Sequence, residues 1–102
     1  MTRTKYNLEV DRETLEKNLK KNINLIYKLL PMREEGQDWT KPLQTIIEEF
    51  VGMNELLIDL RPALFPVICK LEGLFSLVDE EDMPLYRRVI FECLTLLGKI
   101  SI

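Results

Sequence analysis

Residues 11–30 read DRETLEKNLKKNINLIYKLL, and the spacing of their apolar side chains decides the fold class. Leucines and isoleucines recur in steps of three and four, which places them on one face of an α-helix. Asp11 suits the position ahead of a first helical turn, and Pro31 is expected to end the helix. The pattern predicts a helix over 11–30 with one apolar stripe, made of Leu15, Leu19, Ile23, Ile26 and Leu30.

Three further apolar-periodic stretches follow, each introduced by a turn or capping signal. Together they predict an all-α fold: one compact bundle of four main helices, mostly antiparallel, in a single domain of 102 residues. Pro62 and Pro66 predict a turn over 62–65 before the main part of the third helix. The predicted elements are an arm over 1–10, helices over 11–30, 42–59 and 83–100, a turn plus helix over 62–78, and a loop over 31–41.

The N-terminal segment shows only a weak alternation of apolar residues at Tyr6, Leu8 and Val10. A single short strand has nothing to pair with in an all-α chain. We therefore expect residues 1–10 to lie on the bundle as an extended arm.

The composition argues against most enzyme chemistry. The chain has no histidine, which removes the commonest general base and a favoured zinc ligand. Cys69 and Cys93 lie in apolar stripes and not in a C-x-x-C motif, so we expect two reduced, buried thiols, with a disulfide between them as the alternative in an oxidising compartment. Glycines are too scattered to form a phosphate-binding loop. The sequence thus predicts a protein that is not an enzyme and holds no cofactor.

No apolar run approaches the roughly 20 residues that span a bilayer. The first residues also lack the apolar segment of a secretory signal. The expectation is a cytoplasmic protein without a membrane partner.

The leading functional hypothesis is protein–protein interaction, because the third and fourth predicted helices are apolar on more than one face. A small domain has limited interior for so many large side chains, and exposed apolar patches mark interfaces. Such a protein could be an adaptor, an inhibitor or immunity-type factor, or an assembly subunit. A homodimer through helices three and four, a different protein partner, and a thick core without any interface all remain open. The predicted partner-binding residues are Trp39, Phe65, Leu74, Leu77 and Phe91. For Trp39, the alternative is a lid over one end of the core.

A second hypothesis is nucleic-acid binding by the first helix. Lys17, Lys21 and Lys28 are separated by four and seven residues, so they can line one helical face and contact phosphates. The acidic character of the chain, with a pI near 5.0, argues against this hypothesis.

A third hypothesis is a carboxylate metal site on the second helix. Glu48, Glu55 and Asp59 are spaced by seven and four residues and can share a face, and hard cations prefer oxygen ligands. The carboxylates that would have to complete such a site, Glu80, Glu81 and Asp82, are expected in a loop and not on a facing helix.

Overall fold

The computed structural model describes residues 2–3 and 9–100, with residues 2, 3, 9 and 10 given as backbone only. Four α-helices account for most of this part of the chain, which confirms the predicted all-α class. The helices are α1 (Arg12–Glu34), α2 (Thr40–Leu56), α3 (Arg61–Gly73) and α4 (Met83–Gly98).

Each helix packs against its neighbours in the chain, and α1 also packs against α4, so the four helices close into a bundle of 45 × 22 × 20 Å. Cross-helix pairs fix the directions of α1 and α4. Tyr27 contacts Phe91, and Glu34, further along α1, pairs with Arg87, earlier on α4. The two helices are therefore antiparallel.

The first helix runs past Pro31, so the predicted end at residue 30 is wrong. Pro31 lacks an N–H and removes one hydrogen bond from the helix. The last turn is instead held by its side chains. Met32 packs on the core, and Arg33 donates hydrogen bonds to the carbonyl oxygens of Leu77 and Asp79.

Gly36 is the residue that ends α1. Its φ of 74° lies in the left-handed region, which glycine adopts without steric cost. Gln37 N donates to Met32 O at 2.8 Å and Gly36 N to Arg33 O at 3.1 Å, the two bonds of a Schellman motif. The connection to α2 is therefore shorter than the predicted loop over 31–41.

The second helix begins at Thr40 and ends at Leu56, two to three residues earlier at each end than predicted. Its start is stabilised by Asp38, whose carboxylate accepts hydrogen bonds from the Thr40 N–H at 3.0 Å and hydroxyl at 2.6 Å. These bonds hold the pKa of Asp38 below its ordinary value. The helix passes through Gly52 as predicted.

The third helix is continuous from Arg61, so the predicted turn over 62–65 is wrong. Pro62 lies in the first turn, where its missing N–H costs nothing. Pro66 lies further inside and removes one hydrogen bond, but Leu64 and Val67 on either side are fully buried. Burial of these side chains offsets the lost bond. After Gly73, a 3₁₀ turn covers Leu74–Ser76.

The N-terminal segment is not a single unpaired strand. Its backbone forms a two-residue antiparallel pair, β1 (Thr2–Arg3) with β2 (Glu9–Val10). The strand β1 lies against the turn Ile58–Leu60, which agrees with an arm lying on the bundle. Tyr6 and Leu8 are outside the described residues.

The core fills the space between the four helices with large aliphatic side chains. Phe50 and Tyr86 are its largest fully buried members. Cys93 is buried as predicted, whereas Cys69 is exposed, so the expectation of two buried thiols is wrong for Cys69. Within the described part of the chain, no helix has both the length and the apolar character to cross a bilayer.

Candidate functional site

The clearest candidate site is an exposed aromatic pair on the surface shared by α1 and α4. Tyr27 and Phe91 meet edge to face, with ring centroids 6.4 Å apart and an interplanar angle of 76°. Tyr27 is 55% exposed and Phe91 45% exposed. Aromatic rings left partly in water while packed against each other form a preordered apolar surface. We call the surface around this pair the α1–α4 face.

Helical geometry explains why the two rings stay outside the core. Tyr27 follows Ile26, and Phe91 follows Ile90; both isoleucines are fully buried. One residue turns a helix by about 100°, so each ring leaves the core on the side facing the other helix. The pair therefore covers the seam between α1 and α4.

A cleft of about 390 Å³ lies on α4 beside Phe91 and reaches Lys70 on α3. At the rim of this cleft, Glu92 bridges two cations: the Glu92 carboxylate contacts Lys70 Nζ at 2.6 Å and Arg88 Nε at 3.2 Å. The hydrogen bond from Lys70 lowers the pKa of Glu92, and the same bond raises the pKa of Lys70. The cleft is lined by Lys70, Arg88, Phe91, Glu92, Thr95 and Leu96.

Charged side chains of both signs surround the aromatic pair, and the cations Lys20, Lys70, Arg87 and Arg88 outnumber the carboxylates Glu34 and Glu92. Lys20 lies two turns before Tyr27 on α1, and Arg88 lies one turn before Phe91 on α4. Arg87 is also on this side, where it pairs with Glu34 at 3.1 Å. The α1–α4 face thus combines aromatic rings with a rim of ion pairs that carries a surplus of cations.

Phe65 is exposed, as an interface residue must be, but it does not share a surface with Phe91. It is 60% exposed and lies on α3. Five residues separate it from Lys70, which points to α4 through its pair with Glu92. Five residues rotate a helix by about 140°, so Phe65 faces away from α4. The predicted single surface on helices three and four is therefore divided.

Leu74 is fully buried, so its prediction as a surface residue is wrong. The physical reason is helical periodicity: Leu74 keeps helical backbone angles and continues the buried stripe of Val67 and Leu71 in steps of four and three. Leu77 is half-buried against the core, and its carbonyl oxygen accepts a hydrogen bond from Arg33. Both residues stabilise the end of the bundle.

Trp39 also packs on the bundle, in the position of the lid that the sequence offered as an alternative. Its ring meets Tyr86 edge to face with centroids 5.0 Å apart. The Arg33 guanidinium lies 5.4 Å from the Trp39 ring centroid. Burial raises the pKa of the Tyr86 hydroxyl to about 12. These contacts form a closed end to the core, with Trp39 only partly accessible.

The three predicted nucleic-acid-binding lysines lie on α1, but two of them have carboxylate partners. Lys17 pairs with Glu13 at 3.4 Å, and Lys21 pairs with Glu49 at 3.1 Å. Lys28 is exposed. These exposed ion pairs reduce the attraction of this face for phosphates but do not cancel it.

The predicted metal ligands are not brought together. Asp59 lies beyond the end of α2, in the turn Ile58–Leu60, so it does not continue the helical face of Glu48 and Glu55. No group of three or more potential ligands with metal-binding geometry occurs among the described residues.

The candidate site residue that the sequence did not identify is Tyr27. It flanks the apolar stripe of α1, and such a residue is normally read as a widened core. Its edge-to-face contact with Phe91, which is distant in sequence, shows that it lies on the surface between α1 and α4.

No protein family model, curated protein or solved structure matches the chain.

Proposed function

We propose that this protein is a non-enzymatic interaction module that binds another protein through the α1–α4 face. The observation that carries the proposal is the exposed, mutually packed pair Tyr27 and Phe91. Aromatic residues on a rigid scaffold are enriched at interface hot spots, because they bury much area with little loss of side-chain entropy. The cleft beside Phe91 offers space for an apolar side chain of the partner.

The partner that fits this face has an apolar patch with an acidic edge. Lys20, Arg87 and Arg88 surround the rings, and opposite charges across an interface favour encounter and orientation. A symmetric homodimer through the same face would bring together two rims that both carry a surplus of cations. The charge pattern therefore supports a different protein more than a second copy. A cytoplasmic location is part of the proposal and can be tested by cell fractionation.

The test is affinity capture from the source cell with three matched baits. These are the wild type, Phe91→Asp, and Phe65→Asp as a control, since Phe65 is an exposed phenylalanine on another face. Circular dichroism first establishes that all three are folded. The expected result is an acidic protein that resists nuclease treatment, is retained by wild type and Phe65→Asp, and is lost with Phe91→Asp.

Two results would overturn the proposal. Equal recovery by all three baits would show that Phe91 is not at the interface. If only nucleic acid is recovered, and nuclease removes it, the result would favour nucleic-acid binding by the lysines of α1. Sedimentation equilibrium tests for a homodimer through the same face. We expect a monomer of 12.0 kDa. A dimer that Phe91→Asp abolishes would show that the α1–α4 face binds a second copy of the chain instead.

A further inference from the structure

A second exposed apolar surface lies on the seam between α2 and α3, across the bundle from the α1–α4 face. Phe65 on α3 is 60% exposed, and Val51 on α2 is 41% exposed. Glu49 pairs with Lys21 on α1, and the two residues from Glu49 to Val51 rotate the helix by about 200°. Val51 therefore faces away from α1 and towards α3, just as Phe65 faces away from α4 and towards α2.

Arg61 shows that Val51 and Phe65 lie at the same level of this seam. The Arg61 guanidinium donates from Nε to Asn54 O at 2.7 Å and from Nη2 to Glu55 O at 2.9 Å, which joins the start of α3 to the end of α2. Phe65 lies one turn after Arg61, and Val51 lies one turn before Glu55. Since a short turn connects the two packed helices, they run in opposite directions from this contact. Val51 and Phe65 thus line opposite sides of one groove, and we call the surface that they form the α2–α3 face.

The charges next to the α2–α3 face are mainly negative. On α2, Glu48 and Glu55 lie one turn on either side of Val51. On α3, Glu72 lies two turns after Phe65. All three glutamates are exposed. Within the described part of the chain, no lysine or arginine forms an ion pair with any of these three carboxylates.

This charge pattern specifies the chemistry of a partner. Exposed carboxylates without a cation favour a molecule that brings cations to them. Arg61 offsets one of the three negative charges, so the surface keeps a negative surplus. The α1–α4 face has the opposite surplus, and its carboxylates Glu34 and Glu92 are both paired. The two faces therefore select partners of opposite charge.

We propose that the α2–α3 face binds the apolar side of a basic amphipathic helix, carried by a partner protein other than the one at the α1–α4 face. The helix lies in the groove between α2 and α3, where its apolar stripe covers Val51 and Phe65. Lysine or arginine side chains on its flanks pair with Glu48, Glu55 and Glu72. This binding does not depend on the α1–α4 face, because the two faces share no residue. Together with the proposed function, it makes the protein an adaptor between an acidic and a basic partner.

Nuclear magnetic resonance with two matched peptides tests the proposal. Both peptides are amphipathic helices of about 18 residues with the same leucine stripe, since shorter helices are marginal in water. One carries lysine at its polar positions, and the other carries glutamate. We expect the lysine peptide to shift the resonances of Val51 and Phe65 in a saturable manner, and to bind there at least about tenfold more tightly than the glutamate peptide. Equal binding by the two peptides, or no saturable shift at these residues, would overturn the proposal.

Two phenylalanine substitutions locate the binding. Phe65→Ser removes the more exposed ring and should weaken binding of the lysine peptide about tenfold or more. Phe91→Ser is the control, since it removes an exposed phenylalanine from the other face and should leave this binding unchanged. Circular dichroism first establishes that both variants are folded. Full binding by Phe65→Ser, or an equal loss in both variants, would contradict the assignment.

Two glutamate substitutions separate a specific contact from general attraction between opposite charges. Glu48→Lys and Glu81→Lys change the net charge of the chain equally, but Glu81 lies in the connection between α3 and α4. At about 0.15 M salt, charges more than about 8 Å apart are largely screened. Glu48→Lys should therefore weaken the lysine peptide at least about threefold, and Glu81→Lys less than about twofold. Equal weakening would show only non-specific attraction and would overturn the proposal.

Failure of this proposal and failure of the proposed function give different results. The glutamate peptide is the matched probe for the α1–α4 face, where it should shift the resonances of Tyr27 and Phe91. Shifts there with the glutamate peptide, and none at Val51 and Phe65 with the lysine peptide, would overturn only the α2–α3 assignment. The reverse result would support the α2–α3 face and count against the α1–α4 face.

Discussion

The guanidinium of Arg33 lies 4.4 Å from the ring centroid of Tyr86, a fully buried tyrosine in the first turn of α4. The same guanidinium donates hydrogen bonds to Leu77 O and Asp79 O, in the connection between α3 and α4. One side chain thus joins the end of α1 to two other parts of the bundle. Its planar, forked donors are suited to this role, because they stack on a ring and bond to carbonyl oxygens at the same time.

Replacing Arg33 by lysine should lower the free energy of unfolding by about 2 kcal/mol, because lysine keeps the charge but lacks the fork. Urea unfolding measures the change. Arg87→Lys is the control: Arg87 makes one ion pair with Glu34, with both side chains about half exposed, and should change stability by less than about 0.5 kcal/mol. Equal effects of the two substitutions would contradict the role given to Arg33.

Leu74 and Phe65 should respond oppositely to truncation, although the sequence predicted the same role for both. Leu74 is fully buried, so Leu74→Ala should lower the free energy of unfolding by about 2–5 kcal/mol. Phe65 is 60% exposed, so Phe65→Ala should cost less than about 1 kcal/mol. Thermal or urea unfolding measures both changes. A smaller loss of stability for Leu74→Ala than for Phe65→Ala would show that Leu74 is not packed in the core at the end of α3.

Pro31→Ala should stabilise the protein by about 1–3 kcal/mol, because alanine supplies the backbone N–H that the proline lacks inside α1. Pro84→Ala provides the comparison, since Pro84 lies in the first turn of α4, where no such bond is lost. Its substitution should change stability by about 0.5 kcal/mol or less. If Pro31→Ala is neutral or destabilising, α1 does not continue through residue 31 in solution.

Stability should fall in alkaline solution through Cys93 and Tyr86. Burial raises the pKa of Cys93 from 9.0 to about 12 and that of Tyr86 from 10.0 to about 12. In the unfolded chain both groups lose their protons at a lower pH than in the folded protein. Their contribution to the free energy of unfolding is therefore complete below pH 9 and is lost as the pH rises towards 12.

The check is urea unfolding across this range in the wild type and in Cys93→Val, which keeps an apolar side chain of similar size. The stability difference between them should shift in favour of the variant as the pH rises above 9. Parallel profiles would show that the thiol titrates normally in the folded protein.

The sequence was sufficient to predict the fold class, because side chains that are buried on one face of a helix recur in steps of three and four. The ends of the helices were harder to predict. Pro31 and Pro66 are strong local signals, yet tertiary contacts outweigh the single hydrogen bond that each removes. Gly36 ends α1 because of its left-handed φ, and its sequence position inside a polar loop did not distinguish it.

The candidate site was predicted in part, because exposure depends on how each helix is rotated in the bundle. Phe91 and Phe65 are both exposed as expected, but on different faces. Tyr27 was missed because its partner ring is on another helix, more than 60 positions away in the chain. Leu74 was misassigned although it continues the spacing of Val67 and Leu71, because α3 is apolar on more than one side and its sequence alone does not show which side is buried.

Binding through the α1–α4 face is tested most directly by photocrosslinking in the source cell with p-benzoylphenylalanine at position 91, and at position 65 as the control. We expect a discrete adduct with one acidic protein from position 91, no such adduct from position 65, and loss of the adduct when Tyr27→Asp is added. No protein adduct from position 91, or the same adduct in equal yield from both positions, would contradict it.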